Sequence, residues 1–219
     1  MVKPILFNTD MVNAIREGCK TVTRRVIKPT QMQGIAPDRC PNHTPEEFVK
    51  EKPLLFEPYC DMSDEDMIKA IFKSPYQKED ILYVRETWAY ISDWIDVDPD
   101  VGVFDGYFYK ADWDNNAKKA ERPKWKPSIF MPKEAARIFL RVTNVSVARI
   151  QDITTKDMQK EGLTSMAVFA GDKEIARQEW ALLWDGTITG KDYNKYCFSS
   201  DPWVWVIEFE RTGKPNEWV

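Results

Sequence analysis

The densest group of chemically capable side chains follows a glycine near the start of the chain, in the run Gly18-Cys19-Lys20-Thr21-Val22-Thr23-Arg24-Arg25. Cleavage of an amide needs a nucleophile, a proton acceptor and a group that stabilises the oxyanion. Thr23 offers a hydroxyl, and burial of Lys20 among arginines would lower its pKa until it can accept that proton. The same charges also suit a solvated edge strand, where they discourage aggregation. The run therefore indicates either a hydrolytic site or an edge strand without chemistry.

Two features decide whether these side chains can act together. Regular pleating places Lys20 and Thr23 on opposite faces of a strand, so joint action needs a bulge or a turn that redirects Lys20. A third candidate, Glu161, lies at the C-terminal end of a predicted helix. The helix dipole disfavours an anion there and raises the carboxyl pKa towards that of a usable acid or base. The alternative is a solvent-facing glutamate with no role.

A second group of candidates is the run Arg85-Glu86-x-Trp88. On one continuous strand, Trp88 and Glu86 share a face while Arg85 points to the other. Trp88 can then stack on a base while Glu86 accepts a hydrogen bond from a cytosine amino group. The alternative places Trp88 in the core. Tyr109 and Trp125 are open to the same two interpretations.

A metal site is not expected. The run Cys40-Pro-Asn-His43 has a metal-like spacing and contains the only histidine. Zinc would need two further ligands, and only the scattered Cys60 and Cys197 are available. We predict an ordinary polar loop, with no metal and no cofactor. A single histidine in a proline-rich stretch also makes a Ser-His-Asp or Cys-His triad improbable.

The elements that must position these residues follow an α+β pattern. Strands are expected near 5–7, 20–27, 81–91, 106–111, 138–150 and 203–210. Helices are expected at 11–17, ended by Gly18, at 67–72, at 154–161 after the capping box Thr154-x-x-Asp157, and at 173–184, with one or two turns at 132–137. A small mixed barrel is the expected closure of the strands. Trp203 and Trp205 are predicted to be core residues.

Composition limits the class of protein. The chain has 219 residues, 43% of them hydrophobic and 30% charged, which excludes collagen, coiled coil and wholesale disorder. We expect one domain over 1–219, with an irregular insertion at about 30–79 because seven of the 14 prolines fall between residues 28 and 79. No apolar run is long enough for a membrane helix or a signal peptide, so we expect a cytoplasmic protein with no membrane partner. The net charge of −4 argues against coating of nucleic acid.

The pattern Gly18-x-Lys20-x-x-Thr23-x-Arg25 after a short helix resembles the signature of the ASCH family, whose members are PUA-like mixed β-barrels with short flanking helices. Further segments resemble the longer bacterial and phage-associated members. In chain order they are 4–8, 82–88, 109–112, 125–132, 135–137, 150–154 with 161–162, and 202–207. Together they cover about half of the chain.

The resemblance implies an activity. Small ASCH members are amidohydrolases that remove the acyl group from acetylcytidine with a Lys, a Thr and a Glu. Lys20 and Thr23 match the first two, and the spacing from Thr154 to Glu161 matches the helix that carries the third. Many relatives have Glu where Thr23 stands and are regarded as binders, so Thr23 favours the hydrolase branch. The chain is about twice as long as the small hydrolases, and its insertion can narrow, cover or repurpose the cleft.

The expected ligand is a nucleoside or nucleotide, or RNA or another single-stranded nucleic acid, in the barrel cleft. The expected ligand-binding residues are Arg24, Arg25, Arg85, Glu86, Trp88, Tyr109, Trp125 and Ser128. The basic residues expected to contact about two to four phosphates are Arg16, Lys20, Arg24, Arg25 and Lys28. Two other classes remain open: a non-catalytic module that reads a modified base in RNA or DNA, and a phage or prophage accessory protein that acts through protein contacts of the insertion.

Overall fold

The computed structural model describes residues 1–31, 63–94, 104–113 and 123–216. Its strands are β1 (Val2–Leu6), β2 (Val22–Val26), β3 (Ile81–Arg85), β4 (Trp88–Trp94), β5 (Phe104–Tyr109), β6 (Phe139–Arg149) and β7 (Trp203–Thr212). Five of them form a mixed sheet in the order β1-β3-β6-β7-β2, and β4 pairs with β5 in a two-stranded sheet. β1 is parallel to β3, whereas β3–β6 and β2–β7 are antiparallel. The predicted α+β class is confirmed.

Six helices lie in the described part of the chain, and four of them match the helices predicted at 11–17, 67–72, 154–161 and 173–184, the first two beginning two and three residues earlier than predicted. They are α1 (Thr9–Arg16), α2 (Asp64–Ile71), α3 (Thr155–Lys160), α4 (Met166–Ala170), α5 (Lys173–Asp185) and α6 (Tyr193–Tyr196). Asn8 caps α1, Ser63 caps α2, and Thr154 forms a capping box with Asp157 at α3. Each cap is a hydrogen bond between residues three apart, which is why the sequence predicts it. Short α4 and α6 were not predicted, because four or five residues carry no helical period.

Two predictions about strands are wrong. The expected strand over 81–91 is interrupted at Glu86-Thr87, and its halves, β3 and β4, belong to different sheets. Glu86 and Trp88 therefore do not share one face of one strand. The strand expected near 106–111 pairs with β4 instead of joining the five-stranded sheet. A continuous run of β-branched and aromatic residues predicts extended backbone. It does not show at which residue the chain leaves one sheet and pairs with a strand of another. No closed barrel is present among the described residues.

The chain forms two compact units. The first comprises the described residues of Met1–Gly18, Asp80–Arg141 and Glu210–Val219. Its core includes Trp88, Met131 and Phe139. One 3₁₀ turn, Lys133–Ala135, stands where one or two helical turns were predicted.

The second unit comprises the described residues of Cys19–Glu79 and Val142–Phe209. Its core packs α3 and α5 against β2 and β7 through Met158, Trp180 and Val204. Trp203 and Trp205 are buried, as predicted. The hydrophobic face of α2 is buried through Met67, Ile68 and Ile71. Of the expected insertion, 32–62 lies outside the described residues, and so do Cys40, His43 and Cys60. One domain with an insertion at about 30–79 stays a prediction.

Candidate functional site

Lys20 lies just before β2 and not within it. Its backbone forms an isolated antiparallel bridge with Glu161, the residue that follows α3. The amide of Thr21 donates to the carbonyl of Lys160 at 2.8 Å, which extends this short pairing. The turn before β2, and not the pleat of β2, therefore directs the Lys20 side chain. Thr23 follows three residues later, on β2, where its hydroxyl is hydrogen-bonded to Arg25.

The Lys20 side chain ends in a buried cluster of acceptors. Its Nζ donates to Glu161 Oε2 at 2.7 Å, to the Glu161 carbonyl at 2.9 Å and to the Val22 carbonyl at 2.8 Å. Lys20 and Glu161 are 2% and 8% exposed, so this ion pair is removed from solvent. Three acceptors use the three donors of an ammonium group. The alternative of a solvent-facing Glu161 is therefore wrong.

Arg24 adds a second cation to the same carboxylate. Its Nη1 donates to Glu161 Oε1 at 3.1 Å, and its Nη2 lies 3.9 Å from a carboxylate oxygen of Asp157. The Arg24 Nε is buried and has no hydrogen-bond partner among the described residues. Two cations contact the single carboxylate of Glu161 in a buried place where charges are poorly screened. The excess positive charge stabilises an additional anion there.

Thr23 is 1% exposed, and its hydroxyl Oγ1 accepts a hydrogen bond of 3.0 Å from Arg25 Nη1. Both residues are on β2 two positions apart, so they share one face of the strand. The half-buried Arg25 also donates to the Arg24 carbonyl at 3.1 Å. Arg25 therefore fixes the position of the hydroxyl and supplies a positive charge beside it.

The electrostatic environment acts on two of these cations. Burial lowers the pKa of the Lys20 ammonium, Glu161 opposes this shift, and Arg25 and Arg24 add to it. The net result is a pKa below the ordinary value of lysine, which favours loss of the proton. Burial also lowers the pKa of Arg25, against the influence of Glu161 and Tyr76. A guanidinium nevertheless keeps its proton at physiological pH.

An open cavity of about 350 Å³ is lined in part by β7, the strand that pairs with β2, and by none of the residues of β2 itself. Trp205 contributes to its wall and is the register partner of Arg25 across the β2–β7 pair. Tyr76, which influences Arg25 electrostatically, also lines the cavity. This volume is within the range of small-molecule sites in proteins.

The second group of candidates forms a separate cluster in the first unit. Glu86 is 1% exposed, and its two carboxylate oxygens accept from Arg137 at 2.8 and 2.9 Å. Arg137 also pairs with Asp112, which in turn pairs with Arg16 at 2.5 Å. Arg85 donates to the carbonyls of 131 and 129. These contacts hold the cluster together, and a role in ligand binding stays a prediction.

The aromatic candidates of the first unit have structural contacts. Trp88 is 6% exposed, and Lys126 Nζ lies 4.8 Å from its ring centre. Tyr109 donates its hydroxyl to the carbonyl of residue 135, and the guanidinium of residue 137 lies 3.8 Å from its ring centre. Trp125 contacts Trp113 edge-on at 5.8 Å, and half-buried Ser128 begins the 3₁₀ turn Ser128–Phe130. Burial of Trp88 agrees with the core interpretation.

Lys20, Thr23, Arg24, Arg25 and Glu161 all belong to the second unit, whereas the other six candidates belong to the first. Sequence reasoning missed two partners, Tyr76 and Arg137. Tyr76 follows a proline in an aperiodic stretch, so no local signal distinguishes it. Arg137 was assigned to a helical turn and to the resembling segment 135–137, but not to the candidate site.

Comparisons with known proteins give no match to a family model, to a curated protein or to a solved structure. What the chain does is therefore inferred from the contacts of these two clusters and from its motifs. In the described part of the chain, no helix is both long and apolar enough to cross a bilayer.

Proposed function

We propose that the chain is an ASCH-type amidohydrolase that removes an acyl group from a modified cytidine. One observation carries the proposal: the buried contact of 2.7 Å between Lys20 Nζ and Glu161 Oε2, on the element that leads into Thr23. Burial favours loss of the Lys20 proton, and the result is a neutral amine that can act as a general base. Lys20 acts as the base and Thr23 as the nucleophile, and Glu161 positions the Lys20 amine.

The first half of the reaction forms an acyl-enzyme. Lys20, which has lost its own proton to solvent, takes the hydroxyl proton of Thr23. The Thr23 oxygen attacks the acyl carbonyl carbon, and the C=O electron pair moves onto oxygen. Arg25, which donates to Thr23 Oγ1 at 3.0 Å, stabilises that oxyanion. The intermediate collapses, the C–N bond breaks, and the leaving amino group of cytidine takes the proton from Lys20.

The second half restores the enzyme. Neutral Lys20 accepts a proton from water, and the resulting hydroxide attacks the ester carbonyl on Thr23. Collapse of this intermediate breaks the bond to the Thr23 oxygen, which takes the proton back from Lys20. The carboxylic acid leaves, and Lys20 is again the neutral base. The products are unmodified cytidine and the carboxylic acid, which then loses its proton to solvent, so atoms and charges balance.

The finer description of the fold belongs to the same proposal. The PUA-like barrel is supported by the mixed sheet in which β2 carries the motif of Lys20, Thr23 and Arg25. A cytoplasmic location is supported by Cys19 and Cys197, which are free thiols.

The deciding experiment is incubation of the purified full-length chain with acetylcytidine, followed by chromatographic detection of cytidine and acetate. We expect turnover by the wild-type chain and at least a 10²-fold loss in Lys20→Met. Lys156→Met, an exposed lysine on α3, is the matched control and should keep full activity. Equal rates for Lys20→Met and the wild-type chain would refute the proposed roles.

A second function is favoured by one observation. The three acceptors within 2.9 Å of Lys20 Nζ also suit an ammonium group that stays charged and has a structural role only. The chain would then be a non-catalytic module that reads a modified base in RNA or DNA. In that case, acetylcytidine or an acetylated strand raises the melting temperature of the chain without being consumed.

A further inference from the structure

We propose that a second cavity, between α3 and α5, binds a small monocarboxylate that has an apolar body. The cavity has a volume of about 260 Å³, and its lining residues lie at the start of α3 and on the first turns of α5: Ile153, Thr154, Thr155, Met158, Lys173 and Arg177. None of them belongs to the proposed reaction site. The inference therefore goes beyond the proposed function and does not depend on it.

The inner wall of this cavity is apolar. Ile153 and Met158 are 7% and 2% exposed, and both belong to the core that packs α3 against α5. A strongly hydrated ion, such as a phosphate dianion, loses water against this wall without gaining hydrogen bonds there. A hydrocarbon chain, in contrast, gains free energy when it leaves water at the same place. The inner wall therefore favours a ligand with an apolar part.

The part of the wall that α5 supplies is positively charged. Lys173 and Arg177 are four residues apart, so they lie on the same face of the helix. Neither of them forms an ion pair within the described part of the chain, and none of the described lining residues is acidic. Lys173 is also the first residue of α5, where the helix dipole disfavours a cation and stabilises an anion. An anionic group of a ligand therefore finds complementary charge here.

Arg177 is held in position by contacts within the chain. Its Nη1 donates to the Gln151 carbonyl at 2.8 Å, and its Nη2 donates to Gln151 Oε1 at 2.7 Å. Its guanidinium carbon lies 4.9 Å from the ring centre of Phe198. These contacts use two of the five N–H donors of a guanidinium, and three remain for the oxygens of a carboxylate. A side chain that is already fixed loses little entropy when it binds a ligand.

The hydroxyl of Thr155 is available as a further donor. Half-buried Thr155 lines the cavity, and its side chain forms no hydrogen bond with any other residue that the structure describes. Thr154 differs, because its hydroxyl donates to the Asp157 carboxylate at 2.7 Å and accepts from the Asp157 amide at 3.2 Å. Thr154 therefore serves the cap of α3, whereas Thr155 and Arg177 can both donate to a carboxylate in the cavity.

The two carboxylates that cap these helices do not neutralise the cations of the wall. Asp172, the residue before α5, accepts from two backbone amides of that helix at 3.2 Å each. Asp157 accepts from the backbone amide of residue 154 at 3.1 Å. Both carboxylates are therefore bound to helix ends, and the charges of Lys173 and Arg177 remain available to a ligand.

The volume sets the size of the ligand. A water molecule accounts for about 30 Å³ of liquid volume, so 260 Å³ corresponds to roughly eight or nine non-hydrogen atoms of similar size. Hexanoate is a monocarboxylate of this size. Its carboxylate matches Arg177 while its chain covers Ile153 and Met158. Acetate is too short to contact both parts of the wall, and hexanamide has the shape of hexanoate without its charge.

The test is isothermal titration calorimetry of the full-length chain with hexanoate, hexanamide and acetate. We expect hexanoate to bind with a Kd of about 1 mM or below, and the other two compounds to bind about tenfold more weakly or worse. Lys173→Gln should weaken hexanoate binding about threefold or more, and Arg177→Met about tenfold or more. Lys69→Gln changes an exposed lysine at the other cavity and should leave the affinity within about twofold of the wild-type value.

Two features of the variants keep the test decisive. Arg177→Met also removes the hydrogen bonds to Gln151, so urea unfolding of this variant checks that it folds. Lys173 is exposed, and its substitution leaves the core intact. Thr23→Ala should bind hexanoate like the wild-type chain, because the cavity is separate from the proposed reaction site. None of these measurements uses acetylcytidine, so their outcome is independent of the proposed function.

Each other outcome overturns the inference. It fails if hexanoate does not bind saturably, if hexanamide or acetate binds as tightly, or if Lys173→Gln and a folded Arg177→Met bind like the wild-type chain. It also fails if Lys69→Gln or Thr23→Ala loses as much affinity, because the ligand would then lie elsewhere. Tighter binding of a short peptide that ends in leucine would overturn the assignment to a free acid and indicate the C-terminus of a partner protein.

Discussion

Lys20 and Glu161 are 141 residues apart in the chain and form both a backbone bridge and a buried side-chain contact of 2.7 Å. The bridge places the lysine outside the pleat of β2, and the side-chain contact removes both charges from solvent. Arg24 approaches the other carboxylate oxygen at 3.1 Å. Glu161 therefore joins α3 to the start of β2, and it also opposes the lowering of the Lys20 pKa by burial.

The hydroxyl of Thr23 is expected to be essential for turnover. Thr23→Ala removes the nucleophile and should lower kcat with acetylcytidine at least 10²-fold. Thr23→Ser keeps a hydroxyl at the same position and should retain most of the activity. Thr21→Ala, an exposed threonine two residues earlier, is the control and should behave like the wild-type chain. Full activity in Thr23→Ala would favour the binding module.

The pH dependence of kcat should report the Lys20 amine. Its pKa is lowered by burial, so kcat should rise with pH and level off below the value of about 10.4 for free lysine. Glu161 acts to raise the pKa of Lys20, so in Glu161→Gln the increase of kcat should begin at a lower pH. The plateau value of kcat should also be lower than in the wild-type chain. An increase that begins at the same pH in Glu161→Gln would show that another group is the base.

Loss of the Glu161 charge should destabilise the folded chain. Glu161→Gln leaves Lys20 and Arg24 buried without their carboxylate, and breaking such a pair costs about 3–5 kcal/mol. The control is Glu210→Gln, which breaks the exposed pair with Arg141 and should cost less than about 1 kcal/mol. Urea unfolding of the three proteins measures both values, and equal losses would contradict the burial argument.

Stability at acid pH should depend on Asp157. Burial acts to raise the pKa of its carboxyl, but the hydroxyl and amide of Thr154, together with Arg24 and Lys160, outweigh burial and lower it. Between the folded pKa and the ordinary value near 3.9, the unfolded chain binds more protons, so the free energy of unfolding rises with pH there. This contribution is complete above that window and is lost as the pH falls through the folded pKa. Asp157→Asn should flatten the urea stability profile below about pH 4.

The pair of Glu86 and Arg137 should stabilise the first unit. Arg137→Met leaves a carboxylate that is 1% exposed without its partner and should cost about 3–5 kcal/mol in urea unfolding. Arg137→Lys should recover little of this, because an ammonium cannot form the two parallel hydrogen bonds at 2.8 and 2.9 Å. Adding Glu86→Gln to Arg137→Met should restore stability, since the buried charge is then absent. No recovery in that double variant would contradict the pairing.

Local features of this chain could be predicted from its residues because their causes lie within a few positions. The caps Asn8, Ser63 and Thr154 bind amides three residues ahead, and Gly18 and Gly162 have the positive φ expected after a helix. The grouping of Lys20, Thr23 and Glu161 came from the resemblance to the ASCH signature, and the contact between Lys20 and Glu161 is the part of it that the structure shows.

Only the tertiary structure decided which of these residues meet. The partners of Glu86 and Glu161 are 51 and 141 residues away, and no local pattern encodes a register over such distances. The change of sheet at Glu86-Thr87 depends on which strands are adjacent, because extended residues can pair with any neighbour. The basic run 20–25 likewise looked exposed in the sequence, yet Lys20 and Arg24 are buried because packing brought a carboxylate to them. A charged residue forms a functional site or a structural ion pair only when folding brings a partner to it and excludes solvent from the pair.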